Sequence, residues 1–251
     1  GSADVNLAAD LARALDPVAL TPDLGMVPDP WQEDLLRSQH KRILLNIHRQ
    51  GGKSTTTAVM AAHRARYVPG TLVLVIARAE RQAKLLFKKI KANLRKLGIR
   101  LTSESATEMV LDNGSEIVCV PGNPDTVRGY SAVDLLLIDE ASRVPDDVYG
   151  AVSPMTAVSS GQIIAMSTPY GKRGWWSDAW HDRGQDWERV VVPASRCPRL
   201  TAKFLHGERT RLGPHFYAQE YECEFKSTSD AVFGIELIDS LFTNQFSAHR
   251  D

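Results

Sequence analysis

A chain of 251 residues, 43% of them hydrophobic, is long enough to bury one large α/β core, alone or with an appendage. Lys+Arg 30 against Asp+Glu 30 gives a formal net charge of zero, which argues against a surface that grips nucleic acid over its whole extent; any such contact is expected to be local, transient or supplied partly by segments outside this sequence. Three scattered cysteines (Cys119, Cys197, Cys223) without a CxxC pair exclude a disulfide framework and a structural zinc site, and fit a reducing cytosol. No apolar run approaches the roughly 18 residues of a membrane span, and no signal-peptide core opens the chain. Gly1-Ser2 reads as a scar of tag cleavage and is set aside.

In chain order, residues 3–16 read as a short helix, followed by a Pro-rich connector from Pro17 to Pro30 and a helix from Trp31 to Gln39. Ile43–Ile47 is strand-like and runs into Gly51-Gly52-Lys53-Ser54, after which a helix extends from about Ser54 to Tyr67. Leu72–Ala77 is a β-branched strand and Glu80–Leu97 a helix. Glu108–Leu111 and Glu116–Val120 flank Asp112-Asn113-Gly114 as a hairpin. Val133–Ile138 and Ile163–Met166 are apolar strands, and Trp187–Val192 is one more candidate. Leu200–Leu212 and His215–Glu222 are helical, and the last thirty or so residues read as a linker with a short helix. This alternation predicts an α/β fold: a mainly parallel sheet with helices on both faces. The expected divisions are 1–27 (scar, helix and connector), 28–195 (α/β core) and 196–251 (helical subdomain and linker).

Two motifs carry chemistry. A buried strand, a loop ending Gly-Lys-Ser and an immediate helix make a cradle of backbone N–H groups for phosphate oxygens. Lys53 would reach the β- and γ-phosphates of a nucleoside triphosphate, and the Ser54 hydroxyl would ligate Mg²⁺. The usual first glycine of this Walker A pattern is replaced by Ile47. The second motif is the apolar run from Val133 to Ile138 ending in Asp139-Glu140. Such a strand places Asp139 at the carboxyl edge of the sheet, where open α/β folds bind ligands. Asp139 would hold Mg²⁺ and Glu140 would orient and deprotonate a water, as in a Walker B pair. Each motif alone has a bland reading, a flexible turn or a solvated acidic turn. Together and in this order they predict a P-loop ATPase of the RecA-like kind.

Further segments resemble the motor half of viral (tailed-bacteriophage) large terminases from about Pro28 to Phe233. His48-Arg49-Gln50 resembles that family's Arg-Gln variant of the phosphate loop, which tolerates loss of the first glycine. Asp29-Pro30-Trp31-Gln32 resembles its adenine-recognition segment, Gln32 at the base edge and Trp31 nearby; Trp31 reads equally as a core anchor. The resemblance thus implies nucleotide contacts from Trp31, Gln32, His48, Arg49, Gln50, Gly51, Gly52, Lys53, Ser54 and Thr55. Thr126-Val127-Arg128-Gly129-Tyr130 resembles the loop of the trans-acting arginine, with Arg49 the rival in cis. Ser167-Thr168 resembles the coupling motif, which senses the γ-phosphate and passes its loss to Tyr170–Trp176. Residues Phe216–Phe225 resemble the end of terminase motor domains, after which the family carries a nuclease. The chain therefore reads as the motor part alone, expected to hydrolyse ATP and not to cut DNA.

By the same resemblance the partners are double-stranded DNA, a homo-oligomeric ring of five subunits, the portal protein and a small terminase subunit. The expected place is the procapsid portal in the host cytoplasm. For DNA contact the sequence offers two candidates. One is the basic face Lys84, Lys88, Lys89, Lys91, Arg95, Lys96 and Arg100, beside a stripe Leu85, Leu86, Phe87, Ile90, Leu94 at helical spacing. The other is the loop Lys172-Arg173-Gly174-Trp175-Trp176, whose tryptophans read equally as core. The competing readings are a superfamily-2 helicase-like ATPase and a non-catalytic nucleotide-binding scaffold.

Overall fold

The computed structural model describes residues 2–184 and 186–227, with side chains from residue 7 onward. Its strands are β1 (Arg42–Ile47), β2 (Leu72–Ala77), β3 (Leu101–Glu104), β4 (Glu108–Leu111), β5 (Glu116–Pro121), β6 (Leu135–Asp139), β7 (Gln162–Ser167) and β8 (Glu188–Val192). They form one sheet in the order β3-β4-β5-β2-β6-β7-β1-β8. From β5 to β8 every pairing is parallel, so these strands point their carboxyl ends to the same edge. The β4–β5 hairpin and β3 add an antiparallel flank.

The helices are α1 (Ser2–Leu15), α2 (Pro30–Arg37), α3 (Lys53–Tyr67), α4 (Glu80–Lys96), α5 (Pro124–Val127), α6 (Asp146–Val152), α7 (Gly174–His181) and α8 (Ala202–Glu220). Central strands read as continuous apolar runs because both faces are covered. Ile43, Leu45, Val73, Val75, Leu135 and Leu137 point into a core shared with α3 and α4. Leu44, Leu74, Ile76, Leu136 and Ile138, the alternate residues, point into a second core that includes Trp175 and Trp176. Those two tryptophans are buried at 7% and 1% exposure, which decides for their core reading. Among the described residues no helix is long and apolar enough to cross a membrane.

Most expected elements appear within a residue or two of their expected bounds, and the departures have physical reasons. Leu85 is not part of the buried stripe of α4: it is 54% exposed, whereas Leu86, Phe87, Ile90 and Leu94 are buried. Strand β3 is short, polar and mostly exposed at a sheet edge, so it lacks the alternation that marks a half-buried strand. Helices α5, α6 and α7 span only 4, 7 and 8 residues, too few for a 3.6-residue repeat to stand out. The two expected C-terminal helices form one stretch, α8, broken where Gly213 takes φ 76 and Pro214 supplies no N–H. The expected terminal linker lies outside the described residues.

Candidate functional site

Strand β1 delivers the loop His48–Gly52 to the carboxyl edge of the sheet, and α3 starts at Lys53. The loop needs its glycines: Gly52 caps α3 at φ 97, and a Cβ on Gly51 would stand 2.6 Å from Ile47 Cγ2. Gln50 also takes a positive φ of 62. The loop's outer backbone is claimed, since Arg49 N–H donates to Glu220 O and Gly51 N–H to His48 O. The N–H groups of Gln50, Gly52, Lys53 and Ser54 find no backbone acceptor among the described residues. Lys53 Nζ lies across the loop and donates to Ile47 O at 3.1 Å. The result is an anion cradle with unclaimed donors.

The acidic pair closes the other side. Asp139 ends β6, two strands from β1, and Glu140 follows in the left-handed region at φ 52, ψ 41. A cleft of about 390 Å³, within the range of small-ligand sites, is lined by Arg49 through Thr55 on one side and by Asp139 and Glu140 on the other. Burial, reinforced by the Glu140 charge, pushes Asp139 up to about 6 against the pull of Lys53. Glu140 N–H donates to Asp139 Oδ1 at 3.0 Å, and Arg143 stands 3.7 Å from Glu140 Oε2.

Other expected residues fall in different places. Trp31 and Gln32 reach the loop: a Cβ on Gly52 would meet Gln32 Nε2 at 2.8 Å and Trp31 Cζ2 at 4.0 Å. Trp31 is only partly buried, and Gln32 is buried with its amide at work inside the fold. Gln32 accepts from Asp29 N–H, closing the capping box of α2, and donates to Thr56 Oγ1 at 2.8 Å. His48 is buried, and desolvation lowers its imidazole below the ordinary value. Ser167 is fully buried and shares a 2.7 Å hydrogen bond with Ser142, two residues past Glu140. Thr168 donates to Glu220 Oε1 at 3.3 Å, on the helix end whose backbone carbonyl receives Arg49. Arg128 caps α5 at the same sheet edge but does not line the cleft; it is 69% exposed and stands 4.0 Å from Asp125.

Sequence reasoning missed three residues here. Lys89 of α4, an exposed residue of the basic face, also lines the cleft, and Gln82 lines an adjoining cavity that shares Ser54, Lys89, Asp139 and Glu140 with it. Their spacing, two helical turns apart on one face with Leu85, was the available signal. Arg143, between Glu140 and the Tyr170 ring at 4.1 Å, stood in no motif.

The comparisons with known proteins agree with this geometry. The family described as "Terminase large subunit, T4likevirus-type, N-terminal" matches residues 44–240. The chain is 27% identical over 255 residues to the terminase large subunit of Thermus phage G20c, across 86% of this chain and 52% of that protein. It spans about half the length of the curated relatives it matches. Its fold resembles the large terminase ATPase domain of Thermus phage P74-26, with TM-score 0.71, 23% identity, and 81% and 96% of the two chains covered. It also resembles the large terminase of a thermophilic bacteriophage in complex with ADP, with TM-score 0.66, 11% identity, and 79% and 54% covered. The α/β core, its glycine loop and its acidic strand therefore place this chain in the family of terminase large subunit N-terminal domains.

Proposed function

We propose that this chain is the ATP-hydrolysing motor domain of a large terminase, which drives double-stranded DNA into a viral procapsid. The observation that carries the proposal is the single cleft between the loop 49–55 and the pair Asp139-Glu140. A triphosphate laid along the loop would take the open N–H groups of Gln50, Gly52, Lys53 and Ser54. Lys53 would exchange its carbonyl partner for phosphate oxygens, a stronger, charge-assisted bond. Glu140, beside Asp139 and partly exposed to the cleft, is placed to hold the attacking water and accept its proton. Relatives crystallised with ADP and with ATP-γ-S support a nucleotide as the ligand.

The donor set fits Mg²⁺. Ser54 and Asp139 offer hard oxygen ligands across one cleft, and Asp139 is a desolvated carboxylate without a bonded cation. When bound, Mg²⁺ would neutralise charge on the β- and γ-phosphates.

Arg128, exposed and outside its own cleft, suits delivery to a neighbouring subunit in a ring. Arg49 lines its own cleft and is the cis rival. Ser167 and Thr168 would pass the state of the site to Glu220 and α8. The motor core at 28–195 and the helical part from 196 onward remain the proposed divisions, supported by a small separate core of Ala194, Tyr217 and Tyr221. Portal, small terminase subunit, a five-membered ring and action at the procapsid in the host cytoplasm belong to the same proposal. A phosphate-release assay tests it: Lys53→Ala and Glu140→Gln should each abolish turnover. Unchanged release in both variants refutes hydrolysis at this site.

A further inference from the structure

Four basic residues of α4 are bonded within the fold, whereas Arg81, Lys88 and Lys89 make no hydrogen bond or ion pair among the described residues, and of these three only Lys89 lines the cleft. Lys84 pairs with Glu80 at 2.5 Å, Lys91 and Arg95 both pair with Glu104, and Lys96 donates to Leu24 O at 2.9 Å. These four bind the fold to itself. Lys89 makes no hydrogen bond or ion pair among the described residues, although it stands on the same helix. Instead it lines the cleft at the end formed by Ser54, Asp139 and Glu140, with Gln82 two turns earlier on the same face. Leu85 between them is exposed at the cleft mouth, where an apolar side chain shields neighbouring charges from water.

The Lys89 side chain is exposed and stands beyond ion-pair distance of Asp139 and Glu140, close enough for its charge to act on them. Its long stem can reach outward or toward the carboxylates, and the two acidic groups draw it inward. Its positive charge is felt at Asp139, whose pull toward the charged form it shares with Lys53. Lys53 enters from the loop side and Lys89 from the α4 side, so the two cations flank the acidic pair. A triphosphate adds negative charge at this end of the cleft, and a diphosphate leaves most of that end vacant.

The geometry points to Lys89 as a cis-acting catalytic residue that contacts the γ-phosphate and distinguishes a nucleoside triphosphate from a diphosphate. This rests on the reading of the cleft as an ATP site. No bond to Lys89 forms or breaks: its ammonium donates hydrogen bonds to γ-phosphate oxygens and offsets the charge that grows on them as the terminal bond opens.

The test compares Lys89→Ala, Lys89→Arg and Lys53→Ala in steady-state phosphate release without DNA, in titrations with ATP-γ-S and ADP, and in thermal unfolding. Lys89→Ala should lower kcat at least tenfold and weaken ATP-γ-S at least fivefold. ADP affinity should stay within twofold and the melting midpoint within a degree or two, while Lys89→Arg regains most of the turnover. If Lys89→Ala keeps kcat and the preference for ATP-γ-S within twofold while Lys53→Ala abolishes turnover, the Lys89 inference is overturned and the ATP reading stands. Equal weakening of both nucleotides, or a collapsed melting midpoint, also overturns it, because the residue is then structural. If Lys53→Ala is silent too, the ATP reading falls with it.

Discussion

Polar side chains gather at both ends of the parallel strands, and the two gatherings differ in how far their bonding capacity is used. At the amino edge a cavity of about 330 Å³ is lined by His63, Arg64, Asp134 and Gln162 among others. There nearly every group is matched: Arg64 donates to Gln162 Oε1 and Asp134 O, and Gln162 Nε2 to His40 O. Asp134 Oδ2 receives Leu72 N–H, and His63 Nε2 meets Arg13 O at 2.8 Å. At the carboxyl edge the N–H groups of Gln50, Gly52, Lys53 and Ser54 have no backbone acceptor and the side chains of Lys89 and Arg49 no hydrogen-bond or ion-pair partner among the described residues, and Asp139 carries its burial largely uncompensated. One edge is finished by folding. The other keeps bonding capacity in hand, and that difference, rather than cavity size, is what the proposed ligand site rests on.

The contrast breaks if substitutions at the two edges behave alike. The largest effect belongs to Arg128→Ala, which should keep nucleotide binding but lose assembly-stimulated turnover by about 10³-fold or more, the scale of an arginine finger. Turnover against protein concentration measures it, and retained stimulation rules out the trans role. Glu140→Gln should lower single-turnover hydrolysis by about 10²–10⁴, the range of general-base catalysis, with the unfolding midpoint intact. Opposite in kind, Arg64→Ala should cost about 1–3 kcal/mol of stability by orphaning buried acceptors, with turnover kept. Chemical denaturation beside the phosphate assay separates the two kinds of loss.

The smallest effect sharpens the comparison through pH. Burial depresses His63, with Arg64 adding to it and the Arg13 carbonyl and Asp16 opposing. A depressed folded-state value means that the unfolded chain takes the proton first. Stability from this group is therefore complete above about pH 6.5, the unfolded value, and declines as pH falls below it. His63→Gln should flatten that decline in urea midpoints measured from pH 7.5 to 5. An unchanged slope would assign it elsewhere, with His48 the next candidate.

The sequence disclosed the carboxyl edge well because its chemistry is written in consecutive residues. Gly51-Gly52-Lys53-Ser54 and Asp139-Glu140 each follow an apolar strand, and a parallel sheet must bring such strand ends together. Residues that reach the cleft from a helix face were harder to find. Lys89 sits among lysines of which three are bonded to Glu80, Glu104 and a distant carbonyl, and nothing local tells which of the others faces the cleft. Gln32 adds a second role to the one that its motif suggested: its amide also bridges α2 to Thr56. Fold legibility followed length. Helices of one or two turns and the edge strand β3 were missed, whereas the break between the two halves of α8 was readable because Gly213-Pro214 is itself a local signal.

Glu140 holds φ 52, ψ 41, a conformation that L-residues other than Asn and Asp rarely adopt and glycine adopts freely. Holding a glutamate there stores about 1–3 kcal/mol of conformational tension. A Glu140→Gly chain should consequently resist urea better than Glu140→Gln while both are inert. Selection for ruggedness and selection for work pull this one position in opposite directions.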